Sequence, residues 1–472
     1  MRSFLLLAVA ALRPAAQEPP LSPADSALVA RLLQAEDRRD TATAAWAEGR
    51  AHADARVRLI ARRGLARARD PRFTARDSFP PLPAPTVWSE PAWRLRYRAL
   101  AGRRDDCAAM RLGLADSVWH VRRRAADLVG AGCAADDGLV GTLRAWAEDP
   151  SGARAGPGAT WHPAAHALVA LARLAPDEAR RRVAGTRTSG NPWLRAYAAR
   201  AAAVLNDTAL LRQLAADPDD NVKELAIEEL SRLVGHAGDD AYLAALDATG
   251  VQAVRAAALA LKGSPRPEVA ARALDAYRRI LQSGSETARD ARVALLEAAG
   301  RPASDDRPPP SDFALPADAV RLALGADIRL RVTLAGGGSF VVKLRGDVAP
   351  VMAARVLALV RQGYYDGLTW HRVEPDFVIQ GGGPGANEYV GYRHFLRDEL
   401  GTVPHVRGTV GMSTRGHDTG DAQWFVNLKD NLRLGRDYTV FAEVTEGMEA
   451  VDGILEGDVM ARVTILGGPA TR

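Results

Sequence analysis

The sequence predicts a multidomain α + β chain: an N-terminal α-solenoid of paired helices, then a closed antiparallel β-barrel capped by helices. Three observations predict it. From about Pro20 to Gly300, alanine, leucine, arginine and acidic residues recur at helical spacing between short Asp, Gly and Pro interruptions. Short units within that stretch repeat, as stacked helical architectures do. Beyond the prolines 308–310 the period changes to apolar–polar alternation broken by glycine-rich turns.

A chain of 472 residues exceeds one ordinary domain, so two or three are expected. Its 47% hydrophobic content supplies packed cores and excludes wholesale disorder. The formal net charge of +5 is mild for this length, and lysine occurs only at Lys223, Lys262, Lys343 and Lys429. Arginine scattered along helices reads as solvated faces. With no lysine block and no aromatic platform, nucleic acid is not expected as a partner.

Arg2, the apolar run Phe4–Leu12 and the small residues of Arg13-Pro-Ala-Ala-Gln17 read as an export signal over 1–16, cleaved near Ala16. The run is too short to span a bilayer, and no later segment is long and apolar enough. The mature chain is expected to be exported, to a bacterial periplasm or cell envelope, without a transmembrane segment.

Within residues 20–303 the repeats are explicit. Trp93-Arg-Leu-Arg-Tyr-Arg-Ala99 resembles Trp119-His-Val-Arg-Arg-Arg-Ala125, 26 residues on, and Cys107-Ala-Ala109 matches Cys133-Ala-Ala135 at the same offset. Looser copies begin at Asp54, Asn191, Asp220 and Val251. The units resemble HEAT-type repeats. In such a unit Asp or Asn caps the second helix, an apolar residue points inward, and Arg lies outward near the next acidic cap. Stacked pairs bury one continuous core and offer an interaction surface for clients or a protein partner. His162 and His166 share a helical face if Pro163 opens that helix, but no Cys, Asp or Glu at ligand spacing joins them. They read as ordinary packed or surface histidines.

Cys107 and Cys133 are the only cysteines. Equivalent repeat positions place them in adjacent units, whose helix axes lie about 8–10 Å apart. A disulfide needs Cα atoms within about 7 Å. A bridge therefore requires both to sit at facing loop or helix ends, and free thiols are the alternative.

Residues 304–322, with Asp305-Asp-Arg-Pro-Pro-Pro-Ser311, form a stiff linker, since consecutive prolines cannot continue a helix. In the domain 323–470, Asp327–Leu334 and Ser339–Leu344 alternate as strands around the hairpin turn Ala335-Gly-Gly-Gly338. Pro350–Gln362 reads as a helix stopped at Gly363. In Trp370–Gly383, a strand over Phe377–Gln380 would put Phe377 and Ile379 on one side, Val378 and Gln380 on the other. Arg372 folds back beside it across the Pro375 turn. An apolar surface edged by a guanidinium and an amide suits binding a peptide and polarising one of its amides. His371 lacks a carboxylate–nucleophile pair and reads as packed or solvated. Gly381-Gly-Gly-Pro-Gly385 lacks the Lys-Ser/Thr of a phosphate loop and reads as a turn.

Gly363-Tyr-Tyr-Asp-Gly-Leu-Thr-Trp-His-Arg372 through Gly382, Gly408-Thr-Val-Gly-Met412, Ala422-Gln-Trp-Phe425 and Tyr438-Thr-Val-Phe441 resemble the cyclophilin family of peptidyl-prolyl cis–trans isomerases over about 325–468. The resemblance implies an eight-stranded antiparallel barrel closed by two helices. It implies Arg372 as the catalytic residue and Phe377, Val378, Met412, Phe425 and Leu434 as the proline pocket. Gln380 and Gln423 match the amide-bearing partners, and Tyr438 stands where His is common. Ser413 and Thr414 replace the commoner Ala and Asn, whose backbone groups meet the substrate. Arg433 replaces an aromatic at the rim, which counts against cyclosporin-type binding. No metal, nucleotide or redox cofactor is implied. The function expected is X-Pro isomerisation in exported proline-containing clients. Its rival is a catalytically weak proline-peptide binding module or scaffold built on the repeats.

Overall fold

The computed structural model describes residues 20–70, 83–149, 160–308 and 314–466. The expected export signal at 1–16 and the prolines 309 and 310 lie outside the described residues.

In the expected linker 304–322 the helix Ala319–Ala323 already begins, with Ala319 and Leu322 buried in the core of the sheet. Among the described residues eight strands follow it: β1 Arg329–Leu334, β2 Ser339–Leu344, β3 Arg372–Val373, β4 Val378–Gly381, β5 Thr409–Met412, β6 Trp424–Asn427, β7 Val440–Glu446 and β8 Met460–Leu466. They form one antiparallel sheet in the order β3-β4-β6-β5-β7-β2-β1-β8. In β1 the period of two buries Leu330, Val332 and Leu334 and exposes Arg331 and Thr333. Gly337 and Gly338, both at positive φ, make the turn into β2. The segment before β3 meets the start of β8, at the other end of the strand order. There the Trp370 N–H donates to Asp458 O and the Gly367 N–H to Met460 O, both at 2.8 Å. The helix Pro350–Arg361 packs into the same core as Phe340, Trp370, Val410 and Trp424. Pro350 opens it where a missing N–H costs nothing, and Gly363 at φ 67° follows its end.

The N-terminal region is helical. His162–Leu174, Pro192–Val204, Asp220–Val234, Val251–Leu261 and Arg289–Ala298 pack each against the next, with a further helix between successive members along the chain. Asp54, Asn191 and Asp219 cap their helices, accepting from the N–H groups of Arg56 (2.7 Å), Trp193 (2.9 Å) and Asn221 (2.9 Å). Arg195, expected to face outward, is buried instead. It holds both oxygens of Asp217 at 2.8 and 2.9 Å, and Asp217 in turn accepts from the Asp219 N–H. The arginine thus neutralises a carboxylate that shapes the turn into the next helix.

One continuous helical core is expected over 20–303, but two large cores and a small cluster of Trp161, Ala164, Ala165, Leu194 and Tyr197 divide the described residues. Side chains from Tyr97 to Ala298 form one cluster. Leu28, Leu32, Val57, Ile60 and their neighbours join the core of the sheet. Buried Arg67 ties them there, donating to Leu400 O (2.7 Å) and Val348 O (2.8 Å) and pairing with Glu36 at 2.8 Å. Cys107, at the start of the helix Cys107–Leu114, and Cys133, in the turn Ala131–Cys133, are disulfide-bonded with Cα atoms 5.4 Å apart. Among the described residues no helix is long and apolar enough to cross a membrane.

Histidines seal the contact between the helices and the sheet domain. His120 Nε2 donates to Asp452 O at 2.9 Å and His162 Nε2 to Glu456 O at 2.7 Å; His166 Nδ1 lies 2.6 Å from Asp127. Burial, with Arg123 beside it, holds His120 down to about 3, and burial holds His162 at about 4. Unfolded, each would take a proton near pH 6.5, so the folded chain binds fewer protons below that pH. Their contribution is fully present above about pH 6.5 and is lost as the pH falls towards 4. The thermal midpoint is expected to drop over that interval. His120→Gln should flatten the slope, and an unchanged slope would refute the assignment.

Candidate active site

Strand register builds the site. Arg372 on β3 lies opposite Gln380 on β4, Gln380 opposite Phe425 on β6, and Phe425 opposite Gly411 on β5. Directly opposed side chains share a face, so guanidinium, amide and aromatic ring form one row across four strands. The neighbouring row of Val373, Ile379, Val426 and Val410 faces the core. Gly411 is small for a reason: a Cβ there would fall inside the Phe425 ring. Gly411→Ala should push that ring out of its place and raise KM for a proline peptide several-fold with little loss of fold. An unchanged KM would show that the ring does not touch substrate.

Together with Ser413, Thr414 and Tyr438, this row lines a cavity of about 110 Å³. Val378, Phe425 and Leu434 are its buried apolar floor, flanked by Phe377 and Tyr438. Phe425 meets Tyr438 edge-on at 5.6 Å, and His405 stacks on its ring at 5.6 Å. His405 Nε2 also donates to Tyr438 O at 3.0 Å, bracing both aromatics. Arg372 stands at the rim, its guanidinium 6.0 Å from the Phe377 ring centre; that of Arg433 is 5.0 Å away. Arg372 Nη1 lies 3.3 Å from Glu388 Oε1, with the two side chains 40% and 42% exposed. An ion pair that exposed is worth at most about 1 kcal/mol. Behind the floor, Gln380 Nε2 donates to Gln423 Oε1 (3.2 Å), and Gln423 Nε2 donates to Glu388 O (3.3 Å) and Val390 O (3.0 Å). Two amides therefore anchor the loop that carries Glu388.

The architecture has known relatives. A family model described as cyclophilin type peptidyl-prolyl cis-trans isomerase/CLD matches residues 329–466, from the first residue of β1 to the last of β8. Peptidyl-prolyl cis-trans isomerase B of Bacillus subtilis is 36% identical over 136 residues, which is 28% of this chain and 95% of that protein. The chain belongs to the cyclophilin family. A Helicobacter pylori peptidyl-prolyl cis-trans isomerase is 35% identical over 130 residues, 27% of this chain and 80% of that protein. A solved Cryptosporidium parvum cyclophilin type isomerase is 21% identical, with a TM-score of 0.29, covering 30% of this chain and 100% of that one. The sheet domain is thus a cyclophilin-type peptidyl-prolyl cis-trans isomerase.

Not every residue expected at the cyclophilin pocket lies there. Arg372, Phe377, Val378, Gln380, Ser413, Thr414, Phe425, Leu434 and Tyr438 line one cavity. Met412 does not. It opposes Trp424 in register and is buried in the sheet core, on the face opposite Phe425. Gln423 lies behind the cavity, acting on Gln380 and the 388–390 loop. Phe377 precedes β4, so it escapes the alternation that buries Ile379 and joins the Val378 side. The Ser413 N–H is donated to Gln423 O at 2.8 Å. His371 is packed, 7% exposed, and burial beside Arg372 holds it at about 4, so it is neutral at pH 7.

No local sequence signal assigns Glu388, Arg415, His405 or Gly411 to the site. Glu388 and Arg415 sit in irregular loops, where no period reveals a side chain's direction. Arg415 bonds Glu388 O, Thr287 O (3.0 Å) and Asp290 (2.6 Å), linking the site to the helical region. Gly411 lies inside a recognised motif, but only register puts it beneath Phe425.

Proposed function

We propose that the cyclophilin domain isomerises X-Pro bonds in exported client proteins through Arg372, and that the helical region holds clients or a partner protein. The observation that carries this is the cross-strand row, which sets the Arg372 guanidinium in register with Gln380 and Phe425 at the rim of a recess floored by Val378, Phe425 and Leu434.

Resonance makes rotation about a peptide C–N bond cost about 18–20 kcal/mol, and uncatalysed X-Pro exchange takes about 10–100 s. Twisting the bond returns the lone pair to the prolyl nitrogen, which becomes a hydrogen-bond acceptor. A guanidinium donating to that nitrogen binds the twisted amide more tightly than either planar isomer, which lowers the barrier. Arginine suits the task because it stays charged and holds its donors in a rigid plane. The proline ring rests on the apolar floor, and no step moves a proton or forms a bond to the protein. The direct test compares wild type with Arg372→Ala in a proline-limited refolding assay.

Hydrogen bonds between the 367–370 segment and β8 support reading the sheet as a closed barrel, and the recurring capped helices support HEAT-like repeats. The Cys107–Cys133 disulfide supports an oxidising compartment, as export to a periplasm or cell envelope would provide. Cell fractionation is expected to find the chain there, lacking residues 1–16; a cytoplasmic full-length chain would overturn that. The second reading, a weak proline-peptide binder, is favoured by the Arg372–Glu388 pair, which already engages one guanidinium nitrogen. Peptide binding without any rate acceleration would select it.

A further inference from the structure

A second, larger cavity opens on the other side of Arg372. It encloses about 750 Å³ between the helical region and the cyclophilin domain, within the range of about 300–1,000 Å³ typical of ligand sites. Its walls come from the helices His162–Leu174, Pro192–Val204 and Asp220–Val234 on one side and from the loops around 369–374 and 386–389 on the other. Arg372 and Glu388 stand in the walls of both cavities. A polypeptide that seats its proline in the smaller recess can therefore continue past Arg372 into this chamber.

The charges in the chamber are unevenly satisfied. Towards Glu456 they are matched internally. Asp127 meets His166 at 2.6 Å and Arg123 at 3.3 Å, and Glu456 accepts from the Tyr197 hydroxyl at 2.8 Å. Near Arg372 they are not. Glu224 and Glu228 lie one turn apart on the helix Asp220–Val234, a like-charge spacing that weakens a helix. Glu224 has no hydrogen bond or ion pair among the described residues. Burial, then Glu228, with Glu388 adding to them, pushes its carboxyl up to about 8. Arg255 lies 3.7 Å from Glu228, whose charge Arg232 also favours, and the Arg255 guanidinium already lies 4.0 Å over the Tyr389 ring. A separate observation also points to a ligand. His371, buried in the same wall, meets at most the Thr369 backbone, so at least one ring nitrogen is left without a hydrogen-bond partner.

We propose that this chamber is an extended substrate subsite, in which Glu224, Glu228 and Glu388 take a lysine or arginine side chain of the client lying within a few residues of the isomerised X-Pro bond. A cation there supplies the partner that Glu224 lacks and adds to the single arginines that meet Glu228 and Glu388, whereas an acidic client residue would meet like charge from those two in a partly desolvated site. The helical region then selects which prolines reach Arg372, beyond merely tethering clients. The inference rests on Arg372 acting at the smaller recess.

The test uses the full chain and peptides carrying Ala-Pro, with Lys, Ala or Glu placed at each of the three positions on either side. At one or more positions kcat/KM is expected to rank Lys above Ala above Glu, with a Lys-to-Glu ratio of about tenfold. That ratio should shrink as salt is raised. Glu224→Gln/Glu228→Gln should bring it close to one while leaving turnover of the Ala peptides unchanged. Equal kcat/KM for the three side chains at every position, or a preference that survives the double variant, overturns the proposal. Absence of turnover on every peptide, Ala included, would instead defeat the Arg372 reading. Anisotropy titrations of the same labelled peptides then decide the subsite by affinity, with the same order expected and equal affinities refuting it.

Discussion

Arg372→Ala is expected to lower kcat/KM for X-Pro isomerisation about 100- to 1,000-fold, the usual cost of removing one donor aimed at developing charge. The loss should fall on kcat. Planar ground-state amides keep the prolyl lone pair delocalised, so the donor contributes little until the bond twists, and KM should stay within a few-fold. The apolar floor of Val378, Phe425 and Leu434 remains to hold the ring. Arg372→Lys keeps the charge but loses the planar fork, so it should fall between wild type and alanine. Refolding of a proline-limited protein reads all three. If alanine matches wild type, Arg372 is a bystander and the domain binds without catalysing.

Asp452→Ala is expected to destabilise the folded chain by about 3–5 kcal/mol, the range for removing one member of a buried ion pair. Asp452 lies between two buried guanidiniums. Arg94, from the helical region and 0% exposed, reaches its Oδ1 at 2.9 Å, and Arg407 takes both oxygens at 2.9 and 2.6 Å. Without the carboxylate, two cations face each other across the contact between helices and sheet. Arg94 also donates to Pro375 O, at the turn leading from Arg372 into β4, so the loss should loosen the site as well as the fold. Urea denaturation measures it. A cost below about 1 kcal/mol would mean that water replaces the carboxylate.

Much of the cyclophilin domain was readable because its signals are local. The alternation of β1, the Gly337–Gly338 turn and the Pro350–Gly363 helix each follow from backbone preferences of a few residues. The row of Arg372, Gln380 and Phe425 was also recoverable, since the motifs carrying those residues keep their order and spacing. Met412 shows where such reading stops. It sits one residue from Gly411, and a single step along a strand turns a side chain to the other face. Only pairing with Trp424 tells which face is the core. Cys107 and Cys133 are intermediate: repeat equivalence brought them close, and their positions at element ends decided the bond.

The sequence by itself determined the two kinds of architecture, the caps Asp54 and Asn191 and the arginine of the cross-strand row; at a third unit it points to Asp220, one residue past the cap Asp219. Each is written in neighbouring residues, as periodicity, caps or contiguous motifs. Tertiary structure alone decided that helices 23–70 share the core of the sheet, that Glu388 meets Arg372, and that Glu224 and Glu228 stand across a chamber from it. The first and last join residues more than a hundred positions apart, Glu388 reaches Arg372 from an irregular loop, and all lie at loop ends or helix faces. Their geometry depends on how whole elements dock, which no local period encodes.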